Sequence, residues 1–466
     1  MQRKRLWNVI AVLLLLLGVI ACRNESGETA VEIPAATAAA PIENEAETPV
    51  PTTEHVDEIV IRATPEATKK PVPTLLPTPA PTPTPTPTPI PSPVYVTVGA
   101  IGDIMAPSAI IEDVRTEEGL YDFSTLFLPM RDLFESVDLM CANLEVPLAG
   151  EKGGYSGKKD ARTGLFSFNA PDSLLDTLKA YGVDLLTTAN NHSFDRGIDG
   201  LRRTVQVIRE AGFYQTGTYL NEEERQKPCV IEINGVKVGI VASTRLMNQA
   251  YIDVNRSEAY QAFGYYMCDG SQLTEECKAS IARVREAGAE FVILFAHWDY
   301  ENDNPTASDT KSLARQAMIA GADCIIGSHP HRIKSAEYIT VEREDGPYTG
   351  LVLYSLGNFT ANQEFTCMVG LFSRITLKKD FETNTVTLVD AGVLPTLTVR
   401  RSGEKPRFMV LPVYADPSMI MEFETPLTDS ELKLLENARA LAFKRLGKVE
   451  GLRVLDEPAE EKQPEE

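Results

Sequence analysis

Five short apolar runs in this chain each end on an acid or on a histidine-bearing segment, and that pattern limits the fold more than any other feature of the sequence. Residues 182–189 run into Asn190, Asn191 and His192, residues 290–296 into His297, and residues 322–327 into Ser328, His329, Pro330 and His331. Residues 95–102 lead to Asp103 and residues 137–144 to Glu145. Each run is mostly hydrophobic and bounded by polar or turn residues, as expected of strands buried on both faces of an α/β sheet. Ligands and catalytic groups in such sheets collect in the crevice outside the carboxyl ends of the strands. The pattern predicts that these strands deliver Asp103, Glu145, Asn191 with His192, His297, and His329 with His331 to one edge.

Histidine is scarce here: the chain has five, and four of them sit in these segments. A lone histidine reads as a hydrogen-bonded structural residue, but four in one context read as a site. Imidazole and carboxylate together suit a borderline divalent cation, manganese, zinc or iron, and no cysteine joins the set. His329 and His331 are two residues apart and need a tight turn to face one ion, which Pro330 restricts.

The motifs Gly102-Asp103-Ile104-Met105, Ala142-Asn143-Leu144-Glu145, Asn191-His192 with Asp195, Gly197 and Gly200, His297-Trp298, Gly327-Ser328-His329-Pro330-His331 and Tyr354-Ser355-Leu356-Gly357-Asn358-Phe359 resemble, in order, those of the poly-γ-glutamate capsule biosynthesis (CapA-like) proteins. That family in turn resembles the calcineurin-like metallophosphoesterases. The resemblance implies a metallophosphatase-like α/β sandwich of mixed β-sheets flanked by helices, with a small C-terminal α+β appendage. It also implies one or two divalent ions. By motif, Asp103 and His331 match ligands of the first ion, Glu145 the bridging carboxylate, and Asn191, His297 and His329 the ligands of the second. His192 matches the histidine that polarises the substrate or protonates the leaving oxygen. Met105 replaces a histidine of the phosphoesterase pattern, leaving the first ion one ligand short, and Glu145 stands in Asn-Leu-Glu where that pattern has Gly-Asp-x-x-Asp.

Asp195 admits two roles. It precedes a helical stretch, residues 198–210 with Gly212 just beyond, where a short acid caps free N–H groups. Equally, it is a carboxylate that orients His192 for catalysis.

The amino terminus speaks to location. Arg3, Lys4 and Arg5 precede an apolar stretch over residues 9–17, then Val19-Ile20-Ala21-Cys22, which reads as a secretory signal with a bacterial lipobox. Residues 1–22 are therefore expected to be a lipoprotein signal peptide, with Cys22 lipidated and the protein anchored on the extracytoplasmic face of the cell membrane. Residues 23–93, rich in Ala, Glu, Thr and Pro and closing in Thr-Pro repeats, favour extended polyproline II and form a disordered stalk. Residues 94–365 form the CapA-like domain, 366–455 a C-terminal extension, and 456–466 an acidic disordered tail. In the extension, residues 385–413 read as β structure that extends the sheet or forms its own appendage. Thr428 to Glu431 is a capping box opening a helix to Leu446, closed by Gly447.

A net charge of −21 argues against nucleic-acid binding. It also leaves an anionic polymer only the metal and local groups such as Lys158, Lys159, Arg162, Arg332 and Lys334 to bind to. Beyond Cys22, Cys141 and Cys324 read as buried apolar residues, and Cys268 with Cys277 is the pair placed for a disulfide. No Walker-type loop is present. The expected partners are poly-γ-glutamate or another envelope polymer and the membrane proteins of capsule synthesis. Three functions stay open: a metal-assisted hydrolase or transferase of that polymer, a non-catalytic binding or export component, and a general metallophosphoesterase.

Overall fold

A computed structural model describes residues 91–455 apart from 162–163, 249–266, 303, 402–406 and 415–425. The signal peptide with Cys22, the stalk up to residue 90, Arg162, the turn at residues 402–404 and the acidic tail lie outside the described residues.

In chain order, β1 (Val94–Ile104) and β2 (Leu139–Leu144) precede the hairpin β3 (Ser156–Lys159) and β4 (Phe166–Asn169), then β5 (Leu185–Thr187) and β6 (Tyr214–Thr216). Next come β7 (Cys229–Ile233), β8 (Val236–Thr244), the short pair β9 (Cys268–Asp269) and β10 (Gln272–Leu273), β11 (Phe291–His297) and β12 (Cys324–Ser328). The remainder is β13 (Ala336–Arg343), β14 (Gly346–Leu353), β15 (Asn358–Thr360), β16 (Val369–Asp380), β17 (Thr385–Arg401), β18 (Arg407–Pro412) and β19 (Leu452–Val454).

Two mixed sheets result. The nine-stranded one runs β18-β17-β16-β1-β2-β5-β6, with β15 beside β1 and β19 beside β17; the six-stranded one runs β13-β14-β12-β11-β8-β7. The centres are parallel, β1 with β2 and β5 in one sheet, β8, β11, β12 and β14 in the other. Antiparallel strands flank both. All five sequence-predicted strands form, divided between the two sheets.

Alternation along the strands explains the layering. Val96, Val98, Leu139 and Cys141 share one core with Phe291, Ile293, Phe295, Cys324 and Ile326, so the sheets pack face to face. The intervening residues point outward. Met140, Ala142 and Leu144 meet the helices of the larger sheet, among them Ser173–Ala180, whereas Val292, Leu294 and Ile325 meet Glu275–Glu286 and Ser308–Ile319. All seven residues of β11 are buried. At roughly 1.5–3 kcal/mol per fully buried large apolar side chain, burial on both faces fixes the strand that ends at His297.

The helix Gly197–Glu210 buries Ile198, Leu201, Val205 and Ile208, spaced three and four apart on one face, and Gly212 follows it at φ +79°. The helix Asp429–Leu446 carries the expected capping box and inserts Leu435, Ala438, Ala442 and Leu446 into the inter-sheet core. Of the two arrangements left open for residues 385–413, sheet extension is the one found: β17 pairs antiparallel with β16, which pairs antiparallel with β1, and β18 adds to β17. All six described cysteines are free, so Cys268 and Cys277 form no disulfide.

Candidate metal centre

Asp103 leaves β1 where the chain passes Gly357 at close range. Its N–H donates to the Gly357 carbonyl at 3.1 Å, and a Cβ on Gly102 would lie 1.8 Å from that oxygen, so position 102 admits no side chain. Glu145 follows β2, and Asn191 and His192 follow β5. His297 ends β11 opposite Ser328, the last residue of β12, and His329 and His331 come directly after. The carboxyl ends of the two parallel centres thus face one crevice. Every residue of the expected set is buried there, with Asp103 and Glu145 fully so.

The side chains form two overlapping clusters. Ligand atoms of Asp103, Glu145 and His331 lie within 4.8 Å of one another, as do those of Glu145, His297 and His329. Glu145 is common to both. His297 Nε2 lies 2.8 Å from Asn191 Oδ1 and 3.6 Å from Glu145 Oε1, and His331 Nδ1 lies 3.7 Å from Asp103 Oδ2. His329 and His331 both take positive φ, +97° and +56°, which answers how two histidines around a proline reach one crevice. Such backbone costs of order 1–3 kcal/mol per residue and concentrates at functional sites.

The electrostatics are compatible with a bound cation. Burial, and then the Asp103 and Glu301 carboxylates, push the Glu145 carboxyl well above the usual carboxylate range. Neither of its oxygens has a hydrogen-bond partner among the described residues. A buried polar group in that state costs roughly 1–3 kcal/mol. Burial and the neighbouring imidazoles hold His297 and His329 well below their ordinary range, so both are neutral and offer lone pairs. For His331 burial acts downward, but hydrogen bonding and charge from Asp103 outweigh it and its pKa is raised. A divalent ion would satisfy the orphaned carboxylate and engage the neutral imidazoles, so the donor set fits the expected group. Met105 is buried among apolar residues and adds no ligand to the Asp103 cluster.

Hydrogen bonds hold these groups in place. Ser328 Oγ meets His297 Nδ1 at 2.9 Å, Asn358 Oδ1 meets His331 Nδ1 at 2.9 Å, and Asn143 Nδ2 donates to Asp103 Oδ1 at 2.7 Å. Asn143, Ser328 and Asn358 stand inside the sequence motifs, but nothing in the sequence assigned them these partners.

His192 sits beside the clusters with its ring edge-on to Phe168, centroids 4.6 Å apart. Its Nδ1 meets Asp195 Oδ2 at 2.8 Å, and that oxygen also accepts from the Phe168 N–H. The N-cap of the following helix is Arg196, with no side-chain cap bond, so Asp195 serves the histidine and not the helix. Asn248 Nδ2 lies 3.3 Å from the same His192 nitrogen. Of the basic residues near the motifs, Lys334 is spent on the Asn302 and Asn304 carbonyls and Arg332 on Glu364, while Lys158 and Lys159 are exposed on β3.

The capsule biosynthesis protein CapA of Bacillus anthracis is 27% identical over 271 residues, covering 58% of this chain and 61% of its own length. The PGA biosynthesis protein CapA of Bacillus subtilis (strain 168) is 25% identical over 270 residues, covering 57% and 63%. The chain thus spans less than two thirds of the curated relatives it matches. A crystal structure of a phosphatase from Mycoplasma pneumoniae superposes with a TM-score of 0.36 at 12% identity over 65% of this chain and 94% of that one, a loose likeness from which nothing follows here. The family described as bacterial capsule synthesis protein PGA_cap matches residues 97–363, more than half of the chain and every residue of the two clusters, and the chain belongs to that family.

Proposed function

We propose that this chain is a metal-dependent hydrolase or transferase acting on poly-γ-glutamate or another envelope polymer in capsule synthesis. We place it on the outer face of the cell membrane, held by a lipidated Cys22 and working beside the membrane proteins of capsule synthesis. The observation that carries the metal-dependent reading is Glu145: fully buried, without a hydrogen-bond partner on either oxygen, and shared by two ligand clusters. The capsule role is supported by the family and by the two relatives named for capsule or PGA biosynthesis.

Asp103, Glu145 and His331 would hold one ion, and Glu145, Asn191, His297 and His329 a second. Manganese, zinc or iron bound there supplies Lewis-acid polarisation of a carbonyl or phosphoryl oxygen. The protein's own groups then do the rest. Asp195 fixes the His192 ring through Nδ1 and leaves Nε2 to hold or deliver a proton to the leaving atom. Burial of the clusters excludes bulk water and strengthens each charge interaction within them.

The test is elemental analysis of the purified protein, followed by assays of the metal-loaded protein on γ-glutamyl amides and phosphoesters. Metal bound in proportion to chain, with cleavage of a γ-glutamyl amide, is the expected result. Polyglutamate binding without cleavage of either class would replace the catalytic reading with a binding or export role. For the anchor, Cys22→Ala should release the protein or leave its signal uncleaved; unchanged membrane retention and processing would overturn it.

A further inference from the structure

Glu301 belongs to none of the sequence motifs and to neither ligand cluster, yet its Oε1 lies 3.9 Å from Nε2 of His329. The other ring nitrogen, Nδ1, is buried and has no hydrogen-bond partner. The two nitrogens of this imidazole therefore differ: Nε2 lies near a carboxylate, and Nδ1 has no hydrogen-bond partner among the described residues.

The loop that carries Glu301 is tied down on both sides of it. Before it, Asp299 turns at φ +67°, and the Tyr300 hydroxyl donates to Asp309 Oδ2 at 2.8 Å and accepts from Arg245 Nη2 at 2.9 Å. After it, the Lys334 ammonium donates to the Asn302 carbonyl at 2.9 Å and the Asn304 carbonyl at 2.7 Å. Lys334 is only 4% exposed, a costly place for an ammonium whose visible work is to hold this loop. The Glu301 side chain itself is 54% exposed and has room to turn. About 1 Å of approach brings the pair to the length of a charge-assisted hydrogen bond.

We propose that Glu301 is the positioning carboxylate of the metal centre: it accepts the Nε2 proton of His329 and so commits Nδ1, with its lone pair, to the ion. A ligating histidine commonly donates its far N–H to a carboxylate, which fixes the tautomer and raises ligand basicity. His297 has Ser328 for this purpose, on Nδ1 opposite the Nε2 that faces Asn191 and Glu145, and Glu301 supplies the matching partner for His329. The inference rests on the metal-site reading above.

The test compares wild type with Glu301→Gln, which keeps the size and removes the charge, using zinc as the probe. Competition against a chelator measures the affinity of each ion. Nitrogen-15 spectra of the histidine rings in the zinc-loaded protein report which nitrogen is protonated. The expected result is a 10–100-fold weaker affinity for one ion only, with His329 protonated on Nε2 in wild type and that proton signal shifted in the variant. Equal zinc affinity in both proteins, or zinc on Nε2 of His329, would overturn the role of Glu301 and leave the metal site standing. Failure of wild type to bind zinc, manganese or iron would overturn both.

Discussion

Asn191 Oδ1 and His297 Nε2 meet at 2.8 Å across the crevice, one from the loop after β5 of the larger sheet and the other from the end of β11 in the smaller. As a hydrogen bond this contact has Nε2–H donating to the amide oxygen; with the proton on Nδ1, beside Ser328 Oγ, the Nε2 lone pair and the amide oxygen suit the same ion. His297→Ala should therefore remove one ion per chain in elemental analysis. Asn191→Ala should weaken the same ion less, because a neutral amide oxygen is the poorer donor. Loss of the ion held by Asp103 and His331 from either variant, with the ion held by His297 and His329 retained, would contradict this assignment.

Glu145 sets function against stability. Its carboxyl is buried without partners, so replacing it with Met, which is apolar and of similar length, should stabilise the metal-free protein by about 1–3 kcal/mol. The same variant should lose all stabilisation by added metal, since ligand-linked stability needs a bound state. Urea unfolding with chelator and with excess manganese measures both effects. A less stable metal-free variant would show that the orphaned oxygens carry no cost.

His192 and Asp195 lie beside the ligand clusters without joining them. His192→Ala should cut turnover by about 10²–10⁴, the range for a general acid, with metal content intact. Asp195→Asn should lower kcat with little change in KM, because it disturbs the ring that carries the proton and not the binding surface. A metal-free His192→Ala protein would move that residue into the ligand set.

The strands were legible because burial on both faces writes an uninterrupted apolar run, and the residue types beyond each run were legible because histidine is so rare here. Their division into two sheets was not, since pairing joins strands far apart in the chain, as Ala336 with Leu353 follows locally but Asp103 with Asn358 does not. An acid before a helix looks the same whether it caps the helix or orients a histidine, so Asp195 was undecidable until Arg196 was seen at the N-cap. Glu301 left no trace in periodicity at all; it is a half-exposed loop residue made relevant by the fold of the loop around it. Residues 385–413 read as β in either arrangement, and only the register of β17 against β16, itself paired with β1, shows that they extend the sheet carrying Asp103.

Glu431 gives a prediction that depends on pH and not on metal. Its carboxylate accepts from Arg401 Nε at 3.0 Å and from the Thr428 N–H at 2.8 Å, closing the capping box of the helix Asp429–Leu446. Burial acts to raise its pKa, but the Arg401 and Thr428 hydrogen bonds outweigh it and the net shift is downward. The folded state thus binds the proton less readily than the unfolded chain, whose glutamates titrate near 4.3. The stability Glu431 contributes is present in full above that value and is lost as pH falls through the lower folded pKa. Glu431→Gln keeps a capping acceptor but removes the negative charge that pairs with the buried Arg401, and should cost about 1–3 kcal/mol at neutral pH. Urea unfolding from pH 7 downward should show the two proteins separated by a constant gap that begins to close only below about pH 4.3. A gap that stays the same through that range would mean the charge of Glu431 contributes nothing and the capping geometry alone matters.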